Sequence, residues 1–198
     1  YDIIYKCINS IKSITKYQNY EIIVVDNGSN NENKLRYQSL CKEKSCLYYY
    51  ERMKFNFSRM CNIGAKLSHG EIYLFLNDDI EVINDIWLER LVGQASLPHV
   101  GAVGAKLLYP NSTRIQHIGI ININAGPVHN FAGYDDNNCY YFLRNKIDYN
   151  YVAVTGACLM IEKNKFKRVN GFDERFPVAY NDVELCFKLI KKGYYNIV

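Results

Sequence analysis

Long apolar runs are missing from this sequence: Ile22–Val25, Ile72–Leu76 and Ile118–Ile121 all fall far short of the roughly 18 residues that a membrane span needs. CxxC pairs are missing too. The seven cysteines are odd in number and follow no signal-like N-terminus, which points to reduced thiols in a cytoplasmic setting. The nearest two, Cys41 and Cys46, have no histidine close by, and this disfavours zinc. A net charge of +4 is spread along the chain without a dense basic block, so nucleic acid is not an expected partner. The charge suits an anionic small ligand, or a peripheral association with a membrane surface. Prolines number only four, and there is no internal repeat, low-complexity stretch or Pro-rich linker to divide the chain. One domain is expected. Two glycine-rich phosphate loops are also lacking: no GxGxxG follows the first strand, and GxxxxGK[ST] does not occur.

What is present is a regular alternation. Ile4, Cys7, Ile8, Ile11 and Ile14 share a helical face, predicting an amphipathic helix over about Asp2 to Lys16. Glu21 to Asp26 is a β-branched run that reads as a strand covered on both faces, and it stops at the turn Asn27-Gly28-Ser29-Asn30. A polar helix over Glu32 to Lys44, a strand over Leu47 to Tyr50 and a helix over Ser58 to Ser68 follow. Ser58 is the expected N-cap and Gly70 the expected stop. The alternation predicts a mostly parallel sheet with helices on both faces. The second half reads differently: Val100–Leu108, Ile115–Ile121 and Tyr151–Ile161 are strand-like and accompanied by many glycines, which suggests a mixed sheet with long loops. A last helix runs from Asp182 to Lys192, and Tyr194–Val198 reads as the start of a strand. Both ends look cut from something longer, since the alternation calls for a strand before Asp2 and the chain stops inside another.

The chemistry concentrates where apolar strands end in acids. Ile72–Leu76 runs straight into Asn77-Asp78-Asp79, and carboxylates at the C-terminal end of a buried strand suit a hard divalent cation shared with phosphate oxygens. The same residues also fit a solvated turn. The first strand likewise ends in Asp26-Asn27, a carboxylate and amide able to hydrogen-bond a base or ribose. Two acidic strand ends on one expected edge favour a nucleoside diphosphate bound through Mg2+ or Mn2+. A third acidic group, Asn181-Asp182-Val183-Glu184, opens the last helix. It reads either as a complement to the helix dipole or as a general base, through Asp182 or Glu184. His117 and His129 could touch phosphate or acceptor, though a lone histidine is more often a satisfied, partly buried residue. The 18 tyrosines read mainly as strand and core aromatics, and Trp87 as a helix residue under the sheet.

Six segments together carry a resemblance: Glu21–Ser29, Ser58–Gly64, Leu76–Asp79, Val154–Cys158, Gly171–Glu174 and Asn181–Leu185. Their order and spacing are similar to those of the family 2 inverting glycosyltransferases with a GT-A fold. The branch that builds O-antigen, rhamnan and other bacterial surface polysaccharides, where a segment like Ile115–Gly119 recurs, is the most similar. The resemblance spans essentially the whole chain. It implies a nucleotide-diphosphate sugar donor, a glycan or lipid-linked acceptor, and a single domain whose residues 1–110 bind the donor while 111–198 supply acceptor site and base. By position it implies that Asp26 and Asn27 bind the base side of the nucleotide, with Asn62 near the same pocket. Asp79 becomes the metal ligand and Asp78 lies near ribose or diphosphate. Asn77 stands where the family has its first Asp, which lowers the ligand charge. Asp182 becomes the catalytic base, preceded by Asn181 in place of the usual first acid, and Thr155, Gly156, Ala157, Asp173 and Glu174 line the acceptor side. Two alternatives stay open: a nucleotidyltransferase, and a non-catalytic domain that only holds nucleotide-sugar.

Overall fold

The protein is described here by a computed structural model covering residues 1–198. Helix α1 (Asp2–Ile14) buries Cys7, Ile8 and Ile11, the centre of the predicted stripe. Strand β1 (Ile23–Asp26) pairs in parallel with β2 (Leu47–Tyr50), and α2 (Asn31–Glu43) makes the crossover between them. Helix α3 (Phe57–Leu67) leads to β3 (Ile72–Leu76), and α4 (Trp87–Ala95) to β4 (Val100–Gly104). Short strands β5 (Leu107–Leu108) and β6 (Ile115–His117) pair with each other, as do β7 (Ile120–Ile123) and β8 (Gly126–His129). The chain closes with β9 (Asn150–Tyr151), β10 (Cys158–Glu162), α5 (Lys163–Arg168), α6 (Asn181–Lys191) and β11 (Tyr195–Ile197).

The main sheet has the order β3-β10-β4-β11-β9, so strands from both halves of the chain interleave in it. The sheet is mixed, as the second half suggests, and the expectation of a mostly parallel central sheet holds only in part. β10 lies antiparallel between β3 and β4, β9 is antiparallel to β11, and only β11 runs parallel to its neighbour β4. The physical reason lies in the connections. Strands that run in the same direction need a crossover, as α4 provides between β3 and β4, whereas β10 arrives through a loop and inserts between them in the opposite sense.

Both faces of β10 are covered, which explains its continuous apolar run. Leu159 and Ile161 point into a core shared with Phe75, Phe166, Phe172, Leu185 and Leu189. Cys158 and Met160 point to the other side, against Leu88, Leu91 and Ala95 of α4. Fully buried Leu185 and Leu189 each contribute roughly 2 kcal/mol to holding α6 on the sheet. Trp87 closes the far layer, its indole N–H donating to Thr15 Oγ1 at 2.9 Å. At the irregular β4–β11 pairing, the buried Asn196 replaces missing ladder bonds: its oxygen accepts from Ala102 N and its amide donates to Val152 O.

The cap of α3 also differs from expectation. Asn56, not Ser58, accepts from Arg59 N and starts the helix, while Ser58 is buried and donates to Phe176 O at 2.8 Å. The helix stops at Leu67, with Ser68 extended behind it and ahead of Gly70.

Gly119 separates β6 from β7 at φ +121°, and a Cβ there would stand 2.2 Å from the Tyr151 ring. Gly119→Ala is therefore expected to destabilise the fold by roughly 3 kcal/mol, from backbone strain plus overpacking. Urea unfolding measures this, and a loss below about 1 kcal/mol would show that the Tyr151 ring gives way freely.

Candidate functional site

The acidic strand end and the last helix meet across one short stretch of backbone. Because β10 pairs with β3 from Cys158 opposite Leu76, the residues just before β10 lie beside the residues just after β3. Asn77 N donates to Ala157 O at 3.0 Å. One residue earlier, Gly156 N donates to Asp182 Oδ2 at 2.8 Å. The expected metal loop, the Thr155–Ala157 segment and the expected base are thus tied together by two backbone amides. Gly156 has a further reason to be glycine: a Cβ would lie 3.3 Å from the Phe57 ring and 3.6 Å from Asp182 Cβ.

Asp78 and Asp79 form an exposed turn directly beyond β3, and neither carboxylate has a hydrogen-bond or ion-pair partner in the protein. Their negative field reaches behind the loop. Burial, with Asp78, Asp79 and Glu81 adding to it, pushes the Cys7 thiol up to about 12, and its sulfur sits 3.8 Å from Asn77 O. No cluster of three His, Cys, Asp or Glu side chains surrounds this turn or lies elsewhere. The donor set therefore fits a hard cation that takes one or two carboxylates and completes its shell with diphosphate and water, not an all-protein cage.

Asp182 occupies the first turn of α6. Its Oδ1 accepts from Val183 N at 2.8 Å, and each oxygen retains a further lone pair. Glu184, the other candidate base, is held by the Lys188 ammonium at 3.1 Å, an ion pair whose angle falls short of a hydrogen bond. Lys188 in turn donates to Gly171 O. Asp182 is accordingly the acid of this turn left free of a cation. Tyr180, at the N-cap, is left-handed at φ +63°, a strained geometry for a non-glycine residue at the start of the helix.

Asp26 is spent locally. It is buried, its Oδ1 accepts from Gly28 N and Ser29 N at 2.9 Å, and Tyr48 donates to its Oδ2 at 2.7 Å. Burial alone would raise its pKa, but these donors outweigh it and hold the carboxyl below its ordinary value of 3.8. Its structural role is to shape the Asn27–Ser29 turn, leaving Asn27 partly exposed at the end of β1. No hydrogen bond joins Asp26 directly to Asp78, Asp79 or Asp182.

Asn62, expected near the Asp26 pocket, has its amide committed elsewhere. It bonds both N and O of Phe172 and also reaches Glu174 Oε1 at 3.1 Å. With Asn56 donating to Glu174 O and Phe57 N to Pro177 O, it bolts the start of α3 to the 172–177 segment. Asp173 is clamped by Arg175 through both oxygens, which pulls its carboxyl down to about 2, while Glu174 stays exposed. Sequence reasoning missed Tyr48 and Phe57. A hydroxyl-bearing residue at the register position of β2 beside Asp26, and an aromatic next to the α3 cap, were the available signals.

Residues 1–169 match the family described as Glycosyl transferase family 2. This chain belongs to that family. The matched residues include Asp26, Asn62, Asp78, Asp79 and Gly156, whereas Asp173, Glu174 and Asp182 lie beyond them. Among curated relatives, it is 40% identical over 195 residues to the uncharacterized protein y4gI of Sinorhizobium fredii, covering 96% of this chain and 21% of that one. It is 33% identical to the O-antigen biosynthesis protein RfbC of Myxococcus xanthus, covering 97% of this chain and 15% of RfbC. The family 2 chain thus spans about a fifth or less of the length of these two relatives. Solved structures share its GT-A fold. A Pyrobaculum calidifontis mannosyltransferase in complex with GDP-Man and Mn2+ aligns at TM-score 0.69 with 16% identity, over 98% of this chain and 50% of its own. GalNAc-T7 with UDP, GalNAc and Mn2+ aligns at 0.71 with 15% identity, over 96% and 38%.

Tyr48→Phe removes the hydroxyl from the buried Asp26 carboxylate and is expected to destabilise the fold by about 2 kcal/mol near neutral pH. Since the folded pKa of Asp26 lies below its unfolded value, this stability is fully present above the ordinary 3.8 and is lost as pH falls through the folded value. Denaturant midpoints of both proteins across pH 2 to 7, roughly the carboxylate range and above, should converge at the acid end. A constant difference would assign the effect to packing.

Proposed function

We propose that this domain is a metal-dependent, inverting glycosyltransferase that moves a sugar from a nucleotide-diphosphate donor to a glycan or lipid-linked acceptor in surface-polysaccharide synthesis. The observation that carries this reading is the pair of backbone bonds that set Asn77-Asp78-Asp79 and Asp182 on either side of Gly156-Ala157. Unpaired carboxylates for a cation and a cation-free carboxylate for a proton then share one small site. RfbC supports the polysaccharide setting, as does the 22% identical low-salt glycan biosynthesis hexosyltransferase Agl10 of Haloferax volcanii. The Mn2+ bound in both structural neighbours supports the metal.

In this reading Asp79 would hold Mg2+ or Mn2+, Asp78 lies toward ribose or diphosphate, and Asn27 offers its amide to the nucleotide side, with Asp26 acting through the turn it shapes and Asn62 through the 172–177 segment it holds. When bound, the cation supplies positive charge against the diphosphate. Asp182 accepts the proton of the acceptor hydroxyl as that oxygen forms its bond to the anomeric carbon and the bond to the diphosphate oxygen breaks. A single displacement inverts the centre and needs no covalent sugar intermediate. The Gly156 N–H keeps the Asp182 carboxylate turned toward the site. Thr155, Gly156, Ala157, Asp173 and Glu174 border the acceptor, with Asp173 acting through the fixed Arg175 clamp. No helix is long and apolar enough to cross a membrane.

Two variants separate the roles. Asp79→Ala should abolish Mn2+-dependent binding of a nucleoside diphosphate in calorimetry while the fold persists. Unchanged affinity in a folded variant would refute the metal assignment. Asp182→Asn should keep donor binding but lower turnover by roughly 100-fold or more, measured as nucleoside diphosphate released from a panel of nucleotide-sugars. Near-normal turnover would move the base elsewhere.

A further inference from the structure

His117 and His129 are left over from this mechanism, and they are not independent. His117 is fully buried at the end of β6, and the Thr155 backbone N–H donates to its Nε2 at 3.3 Å. On the other side of the ring its Nδ1 stands 2.9 Å from Nδ1 of His129, which is exposed at the end of β8. The rings are edge-to-face, with centroids 5.0 Å apart. The β7–β8 register sets His129 opposite Ile120, and Ile120 is itself bonded to Ala153, two residues before Thr155.

The proton positions follow. A backbone N–H can only donate, so Nε2 of His117 carries a lone pair. A neutral imidazole has one N–H, which must then sit on Nδ1 and donate to Nδ1 of His129. His129 is left with its own proton on the exposed Nε2. Burial, with His129 adding to it, keeps His117 neutral by lowering its pKa to about 3. The order of backbone bonds then becomes informative. Thr155 N–H goes to His117, the next N–H, of Gly156, goes to Asp182, and the following carbonyl, of Ala157, accepts from Asn77. A segment without regular secondary structure is fixed at three successive residues, and His117 is the anchor of the first.

We propose that His117, in the Nδ1–H tautomer that the Thr155 N–H imposes and the His129 acceptor stabilises, is a positioning residue for Asp182: it locks the Thr155–Gly156 backbone so that the Gly156 N–H aims the carboxylate at the acceptor. This rests on Asp182 being the base.

The test uses the full-length protein. Long-range 15N–1H correlation of its histidines should show His117 as the Nδ1–H tautomer and His129 as Nε2–H, and an Nε2–H signal for His117 would overturn the proposal. With the nucleotide-sugar of the panel that turns over, His117→Leu should lower kcat about 10-fold or more, leaving donor KM and Mn2+-nucleoside diphosphate affinity within about twofold. His117→Gln should recover most of kcat, because its amide oxygen can still accept from Thr155 N–H. In an Asp182→Asn background His117→Leu should cost nothing further. Additive losses, a parallel rise in donor KM or failure of glutamine to rescue would each overturn the positioning role alone. Normal turnover by Asp182→Asn would instead overturn the base assignment and remove the target of this proposal. Should His117→Leu not fold, His129→Phe takes its place: a mixed His117 tautomer with lowered kcat is expected, and an unchanged tautomer and kcat would refute the pairing.

Discussion

The backbone of Thr155-Gly156-Ala157 is the constraint on which the site depends. Just before β10 the chain has no regular ladder to satisfy its polar groups, so each amide must find a specific partner. The Gly156 N–H finds the Asp182 carboxylate and the Ala157 carbonyl finds the Asn77 N–H. These two contacts join the end of β3 to the start of α6, which are more than a hundred residues apart in sequence. Because β10 is antiparallel between β3 and β4, it enters the sheet beside the point where β3 leaves it. A parallel β10 would have entered at the opposite end and left the acid turn without this neighbour.

Packing makes the arrangement rigid. Helix α6 is seated by Leu185, Cys186 and Leu189 in a core that β10 shares from above, so Asp182 and Gly156 are carried by elements pressed on the same apolar layer. The α3 N-terminus adds a third wall: Phe57 limits Gly156, and Asn56, Ser58 and Asn62 hold the 172–177 segment through four hydrogen bonds to its backbone. Polar groups that could have served a ligand are used here as structure. Asp26 shapes a turn, Asn62 ties a loop and Asp173 fixes Arg175, while Asp78 and Asp79 stand exposed without protein partners.

The strands β1, β2 and β3 and the helices α1, α2, α3 and α6 were legible because their patterns are local: β-branched runs stopped by turns, and apolar stripes at helical spacing. The acids at strand ends were legible for the same reason, since an apolar run ending in Asp78-Asp79 needs no tertiary knowledge to notice. The direction of β10 was not legible. Its run is apolar on both faces, and periodicity carries no information about strand direction or neighbour. Side-chain partners were hidden in the same way: Tyr48 meets Asp26 only through the β1–β2 register, and Ser58 lost the cap to Asn56 because Phe176 O claims its hydroxyl. The sequence leaves His117 and His129 open between contact with phosphate or acceptor and the plainer role of satisfied, partly buried residues; His117 is fully buried and His129 exposed. Their link to Thr155 required the fold.

Paramagnetic broadening of backbone amide resonances by Mn2+, added with a nucleoside diphosphate, tests the central claim most directly, because it reports distance from the bound ion at every residue. Asp78, Asp79, Gly156, Ala157 and Asp182 should broaden first and together, at the lowest Mn2+ added. Broadening centred away from Asp79, or a sharp Asp182 beside a broadened Asp79, would contradict a shared site for cation and base.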